Sequence, residues 1–168
     1  MGTIKYESPI GIIFLSAAGG YVTELYFDGG ITTPASIREV PPEPCNERVL
    51  AALVKELDAY FAGELREFTV PFKPAGTDFR VKVWEALCTI PYGETINYKE
   101  LAERVGNPAA ARAVGGANHH NPISIVIPCH RVIGASGKLV GYGGGLHAKE
   151  FLLELEKRKH NQNHTRKP

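Results

Sequence analysis

The sequence predicts an α+β fold in two parts, a small amino-terminal antiparallel sheet with one helix and a carboxy-terminal helical part containing a helix-turn-helix. Three observations carry this expectation. The first thirty residues alternate apolar and polar side chains between turn signals, later segments repeat apolar residues at three-and-four spacing, and Lys73-Pro74-Ala75-Gly76 separates halves of opposite charge. Residues 1–75 carry six Lys+Arg against ten Asp+Glu, and residues 76–168 carry thirteen against eight, so a net charge of +1 divides into −4 and +5. The domain boundary is therefore expected at 75/76. A basic half of this size is compatible with a polyanionic partner.

Taking the elements in order, Thr3 to Glu7, Gly11 to Ala17 and Tyr21 to Phe27 read as a meander with turns at Ser8-Pro9 and Gly19-Gly20. A Pro-rich loop follows through Pro34, Pro41, Pro42 and Pro44. Asn46 is expected to cap a helix whose Leu50, Leu53, Val54, Leu57, Tyr60 and Phe61 share a face, with Gly63 ending it and Phe68 to Phe72 adding a strand. In the basic half, Phe79 to Ile90 forms a helix that buries Cys88 beside Trp84. Asn97 caps a short helix with Glu100 three residues on, and Gly106 terminates it.

Asn107 then caps a helix from Pro108 to about Ala117, so the helix-turn-helix spans about 97–117. This second helix is nearly all small residues, including Ala111 and Gly115, around the long side chain of Arg112. Two readings stand side by side: an alanine-rich packing helix with a solvated Arg112, or a helix that approaches a nucleic-acid groove closely and presents one cation. His119 and His120 fall in a loop, and the tail from about residue 158 is expected to fray.

The composition, 43% hydrophobic and 22% charged over 168 residues, is that of a globular protein. No apolar run approaches the roughly 18 residues of a membrane span, and the start lacks a signal-peptide core, so a cytoplasmic protein without a membrane partner is expected. Cys45, Cys88 and Cys129 are odd in number and widely spaced, against both a disulfide framework and a zinc ribbon.

The chemistry concentrates at Pro128-Cys129-His130-Arg131-Val132. A cysteine attacks as its thiolate and needs a base or positive charge nearby, and here both candidates are covalent neighbours. The alternative is a structural cysteine closing the buried apolar strand Ile123, Ile125, Val126, Ile127. Pro128 and the ionisable residues after Cys129 favour the reactive thiol. On a regular strand Cys129 and His130 would face opposite sides, so their cooperation requires an irregular backbone or a bridging water.

Together with Ala111 to Ala117, Asn121-Pro122, and Tyr142-Gly143-Gly144-Gly145-Leu146 followed by Lys149-Glu150, this segment resembles the O6-alkylguanine-DNA alkyltransferases over about residues 77 to 155. The resemblance implies a ribonuclease-H-like amino-terminal part and a winged helix-turn-helix, in a stand-alone, monomeric DNA-repair protein. It implies direct, stoichiometric transfer of an alkyl group from O6-alkylguanine, and O4-alkylthymine, to Cys129, with no cofactor. His130 would be the base acting through water, Glu150 the carboxylate orienting it, and Asn121 a brace for the turn. Tyr98 would serve the flipped base and crowd the phosphate, Val132 and Cys129 would offer carbonyls, and Tyr142 and Gly143 would line the pocket. Arg112 would fill the gap left by the extruded nucleotide, on a helix whose small residues Ala111 and Gly115 suit the minor groove of alkylated double-stranded DNA.

The amino-terminal half holds Cys45 and no histidine, so no zinc is expected there. Two other classes remain as alternatives: a protein that binds alkylated bases without repairing them, and a cysteine hydrolase using Cys129 and His130.

Overall fold

The computed structural model describes residues 2–28 and 43–165; most of the Pro-rich loop falls outside them. Strands β1 (Gly2–Ser8), β2 (Gly11–Ala18) and β3 (Tyr21–Phe27) form an antiparallel meander in the order β1-β2-β3. Alternate residues Ile13, Leu15 and Ala17 of β2 are fully buried, and helix α1 (Pro44–Phe61) packs its Val49, Leu50, Leu53, Leu57 and Tyr60 stripe in the same core.

Asn46 does not cap α1. Pro44 occupies the first turn, where its fixed φ suits a helix start, and the buried Asn46 carboxamide instead accepts from the Gly20 amide at 2.9 Å. Residues 68–72 do not form the expected strand; Phe72 makes one isolated parallel bridge to Val22.

Helix α2 (Asp78–Leu87) begins on the Thr77 side chain, which accepts from the Arg80 amide. Cys88 is its exposed C-cap rather than core, because the helix stops before the residue is carried onto the buried face of Val83, Trp84 and Leu87. Strand β4 (Ile96–Asn97) leads directly into α3 (Tyr98–Arg104), where the Asn97 side chain caps the Glu100 amide at 2.8 Å as expected.

Helix α4 (Ala111–His119) starts three residues later than the sequence suggested. Asn107 accepts from the Ala110 amide in a turn, and Gly106, at φ +81°, reverses the chain ahead of it. Trp84 locks α4 to α2 by donating to the Ala117 carbonyl at 2.8 Å.

Beyond α4, strand β5 (Val132–Ile133) pairs in parallel with β4, with Ile96 against Val132 and Asn97 against Ile133. This short ladder sets the start of the helix-turn-helix beside the segment that follows Cys129. Helix α5 (Leu146–Thr165) continues through the region expected to fray. Its later turns are held against the body: the Lys159 carbonyl accepts from Arg66, and Lys159 and His160 lie where side chains on Gly63 and Gly93 would sit.

Buried residues from both halves form one hydrophobic cluster. The Leu25 amide donates to the Pro122 carbonyl at 2.9 Å and the Ser124 amide to the Leu25 carbonyl at 3.2 Å, so β3 is fastened to the segment leading to Cys129.

Candidate active site

The segment from Asn121 to Arg131 is a chain of tight turns rather than a strand. Ile125, with φ +72°, is the single non-glycine residue in the left-handed region among the described residues. The Val126 amide donates to the Ser124 carbonyl across it at 2.9 Å, a strained three-residue turn for a β-branched side chain. Pro128 (φ −81°, ψ 63°) makes the inverse turn, with the Cys129 amide donating to the Ile127 carbonyl at 2.8 Å. Asn121 spans the loop, its carboxamide oxygen accepting from the Ile123 amide at 2.9 Å and its nitrogen donating to the Ile127 carbonyl at 2.8 Å.

Cys129, His130 and Arg131 then form a single 3-10 turn, in which successive side chains diverge by about 120°. Cys129 looks onto a cavity of about 510 Å³ while His130 is wholly buried away from it, toward α5.

The cavity gathers Cys129, Asn121, Tyr98, Tyr142, Gly143, Arg112, Ala111 and Gly115, all singled out from the sequence. The Tyr98 ring lies over Gly115, where an added Cβ would stand 3.6 Å from it. Arg112 is exposed at the rim. His119 and His120 are exposed, as expected, but stand at the end of α4, and His119 lines the cavity.

Two carbonyl and carboxylate assignments change. Val132 does not line the cavity: it is fully buried, and its carbonyl accepts from Lys149 Nζ at 2.6 Å. Glu150 is exposed on α5, and the carboxylate bound to His130 is Glu156, with Oε2 2.6 Å from His130 Nε2. The reason is helical phase. Glu150 and Glu156 are six residues apart, about 600° of rotation, and so face different directions. Lys149, Leu152 and Glu156 follow i, i+3, i+7 spacing and form the inward stripe.

Glu156 is a hub. Its oxygens also accept from Tyr60 Oη at 2.7 Å, from Arg131 Nε at 2.7 Å and Nη2 at 3.2 Å, and from the Gly93 amide at 3.4 Å. Burial pushes its carboxyl upward, but the charges and hydrogen bonds of His130 and Arg131 outweigh this and hold it well below the usual carboxylate range. His130 Nδ1 is buried with no hydrogen-bond partner among the described residues. The imidazole is thus anchored at one nitrogen and free at the other, the arrangement a water relay requires.

Burial raises the Cys129 thiol above its ordinary range, against opposing contributions from Asn121, Lys149 and Ser124. The resting group is therefore a protonated thiol that a base must relieve of its proton. The amino-terminal half also contributes: Phe27 packs edge-on against Tyr142 at 5.6 Å, and Tyr26 and Phe27 line the cavity.

The sequence reading missed Asn118, Ser124, Lys149 and Glu156. Asn118, whose side-chain nitrogen lies 3.5 Å from the Cys129 carbonyl, follows Val114 and Ala117 on a readable helical stripe; Ser124 carries no periodic signal. Among the described residues no three of His, Cys, Asp and Glu converge as a metal-binding set, and no helix is long and apolar enough to cross a membrane.

A buried thiol at the floor of a cavity, backed by an imidazole-carboxylate pair and flanked by a helix-turn-helix, defines a nucleophilic protein built to meet a nucleic acid. The model of the 6-O-methylguanine DNA methyltransferase ribonuclease-like domain matches residues 2–74, and that of the DNA-binding domain matches residues 78–158. The chain belongs to the 6-O-methylguanine DNA methyltransferase family.

Among its relatives, the methylated-DNA--protein-cysteine methyltransferase of Mycobacterium leprae is 53% identical over 151 residues, covering 90% of this chain and 89% of the relative. The protein of the same description from Methanosarcina acetivorans is 51% identical over 154 residues, covering 90% and 95%. The crystal structure of Mycobacterium tuberculosis OGT in complex with DNA is 52% identical, with a TM-score of 0.82 and 92% of each chain covered.

Proposed function

We propose that this chain repairs DNA by moving an alkyl group from O6-alkylguanine, and from O4-alkylthymine, onto Cys129 in one irreversible step. The observation that carries the reading is the thiol's place: Cys129 lies on the floor of a cavity whose rim is the helix-turn-helix. O6 of guanine is enclosed in a paired duplex, so the nucleotide must turn out into such a cavity, at a cost of a few kcal/mol.

In this reading the protein acts as a monomer in the cytoplasm, its carboxy-terminal part carrying the acceptor and its amino-terminal part supplying Phe27 to the cavity wall and Tyr60 to the carboxylate hub. Helix α4 enters the minor groove on its small residues, and Arg112 takes the place of the extruded base. His130, oriented by Glu156 and Arg131, removes the Cys129 proton through a water at Nδ1. The thiolate attacks the alkyl carbon, an S–C bond forms as the C–O6 bond breaks, and the electron pair passes to the guanine, which takes up a proton. Tyr98 donates a hydrogen bond as that charge develops. The thioether product does not hydrolyse, so each molecule acts once.

Incubation with duplex DNA carrying O6-methylguanine tests this. The expected result is one methyl mass per chain, confined to the Cys129 peptide and absent in Cys129→Ser. Tight binding with no mass gain would favour the non-repairing reading, and turnover beyond stoichiometry a hydrolase.

A further inference from the structure

Lys149 is a fully buried lysine in the first turns of α5. Its ammonium donates to the Val132 carbonyl at 2.6 Å and to the Val140 carbonyl at 3.0 Å. The ion pairs among the described residues join Glu156 to His130 and Arg131, and none includes Lys149. A buried ammonium held by carbonyl dipoles alone is an unfavourable arrangement that demands an anion or a function.

We propose that Lys149 is a positioning residue of the acceptor site, clamping the Val140 loop to β5 and supplying the positive charge against which the Cys129 thiolate forms. Two lines of geometry support it. The Val140 carbonyl also accepts from Tyr98 Oη at 3.5 Å, so one clamp sets both the cavity wall and the tyrosine facing the substrate.

Of the other basic side chains around Cys129, Arg112 and His119 line the cavity exposed to solvent and Arg131 is paired with Glu156, so among the described residues Lys149 is the buried cation without a counter-charge. Tyr98 of α3 and Tyr142 of the loop face the thiol as neutral phenols whose ionisation its charge would oppose. Asn121 and Ser124 are neutral, and the Glu156 carboxylate is already taken up by Arg131 and His130. The coupling is mutual: burial lowers the Lys149 ammonium while Cys129 raises it, and Lys149 draws the Cys129 thiol down.

The inference rests on Cys129 being the alkyl acceptor, and its test avoids DNA so that the two can fail separately. In a Cys45→Ser, Cys88→Ser background, iodoacetamide labelling of Cys129 is followed against pH by peptide mass. Lys149→Met should move the midpoint up by about one pH unit and slow labelling near pH 7 about tenfold, with the high-pH plateau kept. Lys149→Arg should restore most of the loss. An unchanged midpoint in a protein that still melts cooperatively overturns the proposal, as does a loss equal at every pH.

Should Lys149→Met not fold, NMR titration of the Lys149 side chain in the parent and in Cys129→Ser decides. Linkage requires the ammonium midpoint to fall when the thiolate is removed, and an unmoved midpoint also overturns the proposal. Failure of methyl transfer from DNA with these shifts intact would sink the repair reading and leave the ion pair standing.

Discussion

His130 Nε2 lies 2.6 Å from Glu156 Oε2, and this contact joins the residue after the candidate nucleophile to the inward face of α5. The same carboxylate binds Arg131 and Tyr60, so three segments of the chain meet at one buried charge.

Replacing that carboxylate should be felt in stability and chemistry together. Glu156→Gln leaves Arg131 buried without its counter-charge, and breaking a buried pair from one side costs about 3–5 kcal/mol. Urea unfolding should show a loss of that order, and single-turnover methyl transfer should slow at least tenfold. Glu150→Gln, on the exposed face, should change stability by less than about 0.5 kcal/mol and leave the rate unaltered.

Acid should act through the same group. The Glu156 carboxyl is held below its ordinary range, so its contribution is fully present above the unfolded value of about 4.3 and is lost as pH falls toward the folded value. Stability should therefore drop below about pH 4 in the parent and drop less steeply in Glu156→Gln. Equal slopes for the two proteins would remove Glu156 as the cause.

Arg112 separates the cost of opening a duplex from the chemistry that follows. Arg112→Ala should slow repair of O6-methylguanine in duplex DNA by tenfold or more, while reaction with free O6-benzylguanine stays within about twofold, since each tenfold corresponds to roughly 1.4 kcal/mol of lost compensation. Equal losses on both substrates would place Arg112 in the chemistry or the fold instead.

Adjacent glycines should behave oppositely. A Cβ on Gly144 would stand 2.8 Å from the Phe27 ring, so Gly144→Ala must push Phe27 off Tyr142, with an expected loss of about 1–3 kcal/mol by thermal denaturation. Gly143 lines the cavity and a Cβ there meets nothing within 4 Å. Gly143→Trp should fold normally and slow reaction with O6-benzylguanine more than with O6-methylguanine; an unchanged benzyl rate would show that Gly143 does not limit the pocket.

Local patterns were legible wherever periodicity or turn chemistry decides structure. The three strands, the Asn97 cap, the Gly106 turn and the helix-turn-helix follow from alternation and capping, and most of the cavity lining was named from the chain. Misreadings arose where a residue had a competing distant partner. Asn46 looks like a cap but is recruited by Gly20, and the apolar 123–127 run looks like a strand but is bent by hydrogen bonds to Asn121 and β3.

The sequence by itself determined that Cys129 and His130 stand together, that a small-residue helix bearing Arg112 precedes them, and that the chain resembles a family of alkyl acceptors. Only the tertiary structure decided which carboxylate serves His130, that Lys149 is buried beneath Val132, and that Phe27 and Tyr60 of the amino-terminal half complete the site and its support. Residues adjacent in sequence are tied by the backbone, whereas residues on α5, β3 and α1 reach the site only through helical phase and packing across the shared core.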